Sequence, residues 1–189
     1  MALQLTPRVR QRRAASAEPL LRTHSGRLFR LREGVPSDLP LLDALAAQLS
    51  SETRRLRWFV PIPPEAIAQL WRQMLLSDPP QVAVVAETPG IQPSLIAVAQ
   101  LAISPTQPDS AEIAIVVRDD YQRDGVGGRL SEFIGRIAEA RGLRQLTATT
   151  LSDNRGITPL LRRLGVVYRT SERNGETQLT IERGAAQAG

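Results

Sequence analysis

The segment EIAIVVRDDYQRDGVGG, Glu112 to Gly128, decides how the rest of the chain reads. Its first half, Ile113–Val117, is an apolar run of strand length that is rich in β-branched residues. Its second half, Gln122-Arg123-Asp124-Gly125-Val126-Gly127-Gly128, is a short loop that opens a helix. From about Gly127 to Arg141, the residues Leu130, Phe133, Ile134, Ile137 and Ala138 fall on one helical face, and Gly142 ends the run. The first turn of a helix leaves N–H groups unpaired and partially positive. Glycines let a ligand approach the backbone closely. The two together suit a diphosphate. A tight turn that needs glycine for its own geometry explains the same residues. The loop lacks the Lys-Ser/Thr pair of a nucleoside-triphosphate P-loop. It also fits only one glycine spacing of the dinucleotide fingerprint, and no parallel βαβ unit opens before it.

Working outward, strands are expected at Gln81–Glu87, Ser94–Ile103 and Ala111–Val117, separated by a Pro-Gly turn and a polar turn around Pro105–Asp109. Upstream, Leu28–Arg32 reads as a first strand. Ser37 or Asp38 then caps a helix carrying Leu41, Leu42, Leu45, Ala46 and Leu49. A short helix follows over Ser51–Trp58. A third runs from Pro64 to Leu76, with Ile67, Leu70, Trp71 and Met74 on its apolar face. Downstream, Leu143–Leu151 alternates as a strand. A last helix runs from Asp153 or Asn154 to Leu164 and stops at Gly165. Two strands, about Val166–Ser171 and Thr177–Glu182, join at Asn174-Gly175, a strong hairpin signal.

At 189 residues and 42% hydrophobic, the chain is sized for one domain with a real core. No apolar run approaches the ~18–20 residues that span a bilayer, and no secretory signal is visible, so a cytoplasmic location is expected. The absence of cysteine excludes disulfides, thiolate metal sites and a cysteine nucleophile. His24 is the only histidine, in what reads as a tail, so neither a histidine-ligated metal nor a Ser-His-Asp triad is expected. All 24 basic residues are arginine. Residues 1–26 hold five of them and one acid, whereas the remaining 163 residues hold 19 arginines and 18 acids. The folded part is thus nearly neutral, and neither a nucleic acid nor a membrane is expected as partner. The expected organisation is a flexible Arg-rich tail over 1–26, a domain over 27–183 and a short tail over 184–189.

The loop resembles the acetyl-CoA signature of the GNAT acetyltransferase superfamily, Gln/Arg-x-x-Gly-x-Gly/Ala, met by Gln122, Gly125 and Gly127. The context agrees: a strand before, a long amphipathic helix after, then a strand and an Asn-headed helix, with Asn154 and Gly165 eleven residues apart. The stretch Leu49–Phe59 further resembles the early helices of bacterial protein-lysine acetyltransferases of the Pat type. The resemblance implies an α/β (α+β) fold: one mixed, largely antiparallel twisted sheet of about six to seven strands flanked by about four helices. It implies an acyl-CoA-dependent N-acyltransferase with acetyl-CoA as cosubstrate and no metal. It places the pantetheine arm along Ile115, Val116 and Val117, and the diphosphate on the loop Gln122, Arg123, Asp124, Gly125, Val126, Gly127 and Gly128. Asn154 would touch the cofactor from across the cleft. The favoured acceptor is a protein lysine. A small amine acceptor and a non-catalytic acyl-CoA sensor are the alternatives.

An ammonium must lose a proton before it attacks a thioester, so a base is required. Glu112, amid Ala111, Ile113 and Ala114, is the candidate. Similar Pat-type enzymes carry a glutamate at the matching position, and partial burial would raise its pKa toward a useful range. The plain alternative is an exposed glutamate at a strand end. The tyrosine that often serves the departing thiolate is replaced by Leu161, and Val166 stands where the family places an aromatic. Tyr121 reads as packing. Trp58, Phe59 and Trp71 read as core before acceptor pocket. Arg54, Arg55 and Arg57 read as a solvated face before an acid-recognition cluster. Arg129 is a further candidate for the CoA phosphates.

Overall fold

The computed structural model describes residues 19–77, 81–154 and 168–182. These form one eight-stranded sheet in the order β1-β2-β3-β4-β5-β6-β8-β7. The strands are β1 (Leu21–Arg22), β2 (Leu28–Glu33), β3 (Val82–Glu87), β4 (Leu95–Ile103), β5 (Ser110–Val117), β6 (Gln145–Leu151), β7 (Tyr168–Arg173) and β8 (Glu176–Glu182). Helices α1 (Leu39–Gln48), α2 (Ser51–Trp58) and α3 (Pro64–Leu76) lie between β2 and β3, and α4 (Val126–Ala140) connects β5 to β6. Every adjacent pair is antiparallel except β5–β6, which the α4 crossover makes parallel.

The period-2 alternation of β5 sorts its side chains between two cores. Ala111, Ile113, Ile115 and Val117 join the layer under α4, where Val126, Leu130, Ile134 and Ala138 are fully buried. Val116 joins the opposite layer, beneath α1 and α3, with Leu42, Leu45, Ile67 and Trp71. Trp58 packs on Trp71 with ring centroids 6.1 Å apart, so the tryptophans serve the core as expected.

At the β2 edge, Arg32 holds two buried acids. Its Nη1 and Nη2 donate to Asp38 at 2.6 and 2.8 Å, and its Nε donates to Glu87 at 2.6 Å. Arg30 donates to the other Glu87 oxygen at 3.1 Å. Asp38 also accepts the Val35 N–H, fixing the entry to α1.

The sheet starts earlier than the sequence suggested. Leu21 and Arg22 pair with Phe29 and Leu28, and Gly26 turns between them at φ +92°. The described part of the expected tail, residues 19–26, is therefore the sheet's edge hairpin, which raises the strand count to eight. Two residues carry no periodicity, so β1 left no trace in the pattern. At the other end, Asn174 and Gly175 both take positive φ, 53° and 79°, as a two-residue hairpin requires. The expected helix after Asn154, with Leu161, Gly165 and Val166, lies outside the described residues.

Candidate active site

The parallel pair β5–β6 holds for only three residues. Ser110, Ala111 and Glu112 match Gln145, Leu146 and Thr147, and then the strands part. β5 stays paired with β4 as far as Val117, and β6 stays paired with β8 as far as Leu151. The edge of β5 from Ile113 to Val117 that faces β6 has no strand partner among the described residues. A wedge opens toward the C-terminal ends of both strands. Glu112 sits at its vertex. The glycine loop follows one wall and Asn154 follows the other.

At the mouth, a 3-10 turn over Asp119–Tyr121 leads into the loop. Arg123 and Gly125 take positive φ, 58° and 91°, and α4 starts at Val126. Among the described residues, the backbone N–H groups of Arg123 through Gly128 donate no hydrogen bond; the first such donor is Arg129, to the Gly125 carbonyl at 3.2 Å. A run of free donors at a helix start is the arrangement that accepts an anion. A Cβ on Gly127 would lie 3.7 Å from Val117 Cγ2, so α4 begins against the end of β5. The family model described as Acetyltransferase (GNAT) family matches residues 46–166, the stretch that contains both walls and the loop.

The chain belongs to the GNAT acetyltransferase family. It is 30% identical over 161 residues, 84% of its length, to the acetyltransferase Pat of Mycolicibacterium smegmatis, and spans about half (47%) of that longer protein. Among solved structures, the GNAT domain of S. lividans PAT superposes with TM-score 0.73 at 24% identity, covering 89% of this chain and 98% of that one. A cAMP-binding acyltransferase from Mycobacterium smegmatis gives TM-score 0.57 at 23% identity, covering 89% of this chain and 48% of that one. These two likenesses are of fold.

Within the GNAT frame, the site residues expected from sequence divide into three groups. The first is the free amides of Arg123–Gly128 and the open edge at Ile115–Val117, which face the same mouth. The second is residues already engaged. The Gln122 side chain donates to Thr53 Oγ1 at 2.8 Å and to the Val117 carbonyl at 3.0 Å, and its own N–H donates to Asp119. Gln122 thus fastens the loop to β5 and α2. Asn154 donates from its N–H to the Leu151 carbonyl and from its side chain to Thr150 at 2.8 Å, which fixes it at the end of β6. Arg129 pairs with Glu132 at 3.2 Å on the exposed face of α4.

The third group is Glu112, whose surroundings differ from expectation. It is exposed, not partly buried. The pleat turns it away from α4 to the face that α1 and α3 cover over β3, β4 and Val116, but Glu112 itself lies outside that cover. There it lines a cleft of about 540 Å³ with Gln107, Gln145, Thr147, Gln178 and Thr180, and it is the only ionisable group in that lining. A lone carboxylate among neutral hydroxyls and amides is a setting for an ammonium. Arg57, on α2, lies in the electrostatic reach of Glu112. Burial lowers its pKa, and the Glu112 charge opposes that.

Three carboxylates flank the anion loop, and each is turned to a protein donor. Asp119 accepts from Ser50 N–H at 3.0 Å, Ser50 Oγ at 2.5 Å and Thr53 Oγ1 at 2.7 Å. Burial pushes its pKa up, but the Ser50 and Thr53 bonds outweigh that and hold it below the usual range. Asp120 is held low chiefly by its bond from Arg118. Asp124 is held far below the carboxylate range by Ser25 first and Arg27 second.

Of the arginines of α2, Arg55 makes solvent-exposed ion pairs, whereas Arg54 and Arg57 are partly buried. Arg54 donates to the Leu49 carbonyl at 2.6 Å, and Arg55 bridges Glu52 and Asp153. With Thr53 on the loop and Arg55 at the β6 side, α2 touches both walls of the wedge. Sequence reading missed these partners because Ser50 and Thr53 meet Asp119 across 69 and 66 residues. Ser50 did carry a signal: its Oγ accepts the Thr53 N–H as the N-cap of α2. Tyr121, read as packing, is buried beneath Arg27, whose guanidinium carbon lies 3.6 Å from the ring centre.

Proposed function

We propose that this chain moves an acetyl group from acetyl-CoA directly to a primary amine, with a protein lysine as the favoured acceptor. One observation carries the reading: β5 and β6 part immediately after Glu112, so a solvent-open carboxylate stands at the narrow end of a wedge whose wide end carries six unpaired amides. The amides of Arg123–Gly128 bind the diphosphate of the donor. The open edge at Ile115, Val116 and Val117 receives the amide groups of the pantetheine arm as a strand would. Asn154 closes on it from the β6 wall.

Glu112 takes the proton of the acceptor ammonium, directly or through one water. The freed nitrogen attacks the thioester carbonyl carbon, the C–N bond forms, the C–S bond breaks, CoA leaves as a thiolate, and the second proton shed by the nitrogen passes through water to the sulfur. The resemblance of Leu49–Phe59 to the early helices of Pat-type protein-lysine acetyltransferases favours lysine as acceptor. The hydroxyls and amides beside Glu112 could also hold a small amine, which keeps small amines as the second reading.

The test is a free-thiol release assay with acetyl-CoA against lysine peptides, polyamines, amino acids and amino sugars. Saturable release with peptides, and acetyl located on the lysine Nζ by mass spectrometry, is expected. Release with small amines alone reassigns the acceptor. Release that no amine stimulates overturns the proposal.

A further inference from the structure

The glycine loop carries an acid at its centre. Asp124 lies between Arg123 and Gly125, within the run of amides assigned to a diphosphate. A carboxylate there opposes an anion at close range. The structure disposes of it in one way. The hairpin turn between β1 and β2 reaches across the sheet edge and takes the whole group. Ser25 donates its N–H to Asp124 Oδ1 at 2.7 Å and its Oγ–H to Oδ2 at 2.6 Å. Arg27 donates Nη2 to Oδ2 at 2.9 Å. His24 donates its N–H to the Asp124 carbonyl at 3.0 Å. Arg27 also binds the Asp120 carbonyl at 2.5 Å and lies on Tyr121. Both Asp124 oxygens are engaged, and the residue is nearly buried, 9% exposed.

We propose that the Thr23–Arg27 turn is part of the cofactor site: Ser25 and Arg27 are positioning residues that neutralise Asp124 and aim it away, so that the loop amides can receive the donor's phosphates. The inference rests on the reading of the loop as the diphosphate site. It makes the edge hairpin, 99 residues from the loop in sequence, a condition for donor binding. Among the described contacts, no charged group of α4 reaches Asp124. The charge on the loop is balanced from the N-terminal side alone among the described contacts.

The test is a double-mutant cycle on acetyl-CoA affinity, measured by isothermal titration with wild type, Arg27→Gln, Asp124→Asn and the double variant. Arg27→Gln weakens acetyl-CoA binding roughly tenfold, because a near charge is left partly uncompensated. In the Asp124→Asn background the same change alters affinity less than about twofold, since no charge remains to neutralise. In steady state the loss falls on KM for acetyl-CoA, while kcat and the KM of the acceptor stay. Equal losses in both backgrounds assign Arg27 a purely structural role and overturn the proposal, as does no loss in either. If Arg27→Gln fails to fold, Ser25→Ala removes one donor and replaces it in the cycle, with the same pattern expected at smaller size. A wild-type protein that binds no acetyl-CoA refutes the loop assignment itself, an outcome separate from a failed cycle.

Discussion

At the scale of single residues, Glu112 and Gly125 stand at the two ends of the wedge and fail differently. Glu112→Gln keeps size and polarity but cannot take a proton. Turnover is expected to fall by about 10²–10⁴ with acetyl-CoA affinity unchanged, read by single-turnover kinetics beside titration. Intact turnover removes Glu112 as base. Gly125 sits at φ +91°, and a Cβ there would lie 2.9 Å from His24 Nε2. Gly125→Ala therefore carries a conformational cost of about 1–2 kcal/mol. Gly125→Glu adds a charge and bulk among the free amides, and the expected outcome is loss of acetyl-CoA binding in a folded protein. Unchanged affinity contradicts the loop assignment. Much of this was legible: Gln122, Gly125 and Gly127 marked the loop, and Glu112 was singled out by its place on the strand. Its exposure was not legible. A run such as Ala-Glu-Ile-Ala says that a residue lies in a strand, but not which helices cover the face it points to.

At the scale of elements, β5, the loop and α4 act together with two distant fasteners. Helices α2 and α3 match the expected bounds because proline and serine punctuate them. The parting of β5 from β6 had no counterpart in the sequence, since neither strand changes character at Glu112 or Thr147. The Asp124 hook was equally silent, because Ser25 fell in the expected tail, Arg27 at the first residue of the expected domain, and nothing in the pattern pairs either with a residue about 100 positions on.

The hook makes a pH prediction. Asp124 has a folded pKa below its unfolded value, so its stabilisation is full above the unfolded carboxylate pKa, near ~3.9. It is lost as pH falls through the lower folded value. Asp119 and Asp120 act in the same direction. Thermal melts from pH 6 downward should decline below about pH 4, and less steeply in Asp124→Asn than in wild type. Parallel declines would mean that the hook contributes nothing to acid sensitivity. Next to the same hairpin, on β3, Glu87→Ala removes the carboxylate shared by Arg30 and Arg32 and leaves Arg32 only Asp38. A loss of about 1.5–3 kcal/mol is expected by chemical denaturation, since Arg32 keeps Asp38. A loss under ~1 kcal/mol, the scale of an exposed ion pair, would contradict the buried reading.

At the scale of the whole molecule, the chain is a one-sheet GNAT domain whose 24 basic residues are all arginine. A chain without lysine offers no lysine of its own to the proposed chemistry. Incubation with acetyl-CoA should leave no acetyl group on internal side chains, by peptide mass mapping. A serine, threonine or tyrosine that accumulates acetyl would instead mark a covalent intermediate and contradict direct transfer.

The sheet is stitched across its middle by only Ser110–Glu112 and Gln145–Thr147. Beyond that seam, β6, β8 and β7 form a leaf of their own, and α2 braces it across the gap through Thr53 and Arg55. A donor arm lying along Ile113–Val117 would be a surrogate strand, and the leaf would then close as part of a continuous sheet. The donor is in that sense a keystone as well as a reagent. Amide hydrogens on both sides of the gap should slow their exchange together when it binds, and the melting temperature should climb with donor concentration.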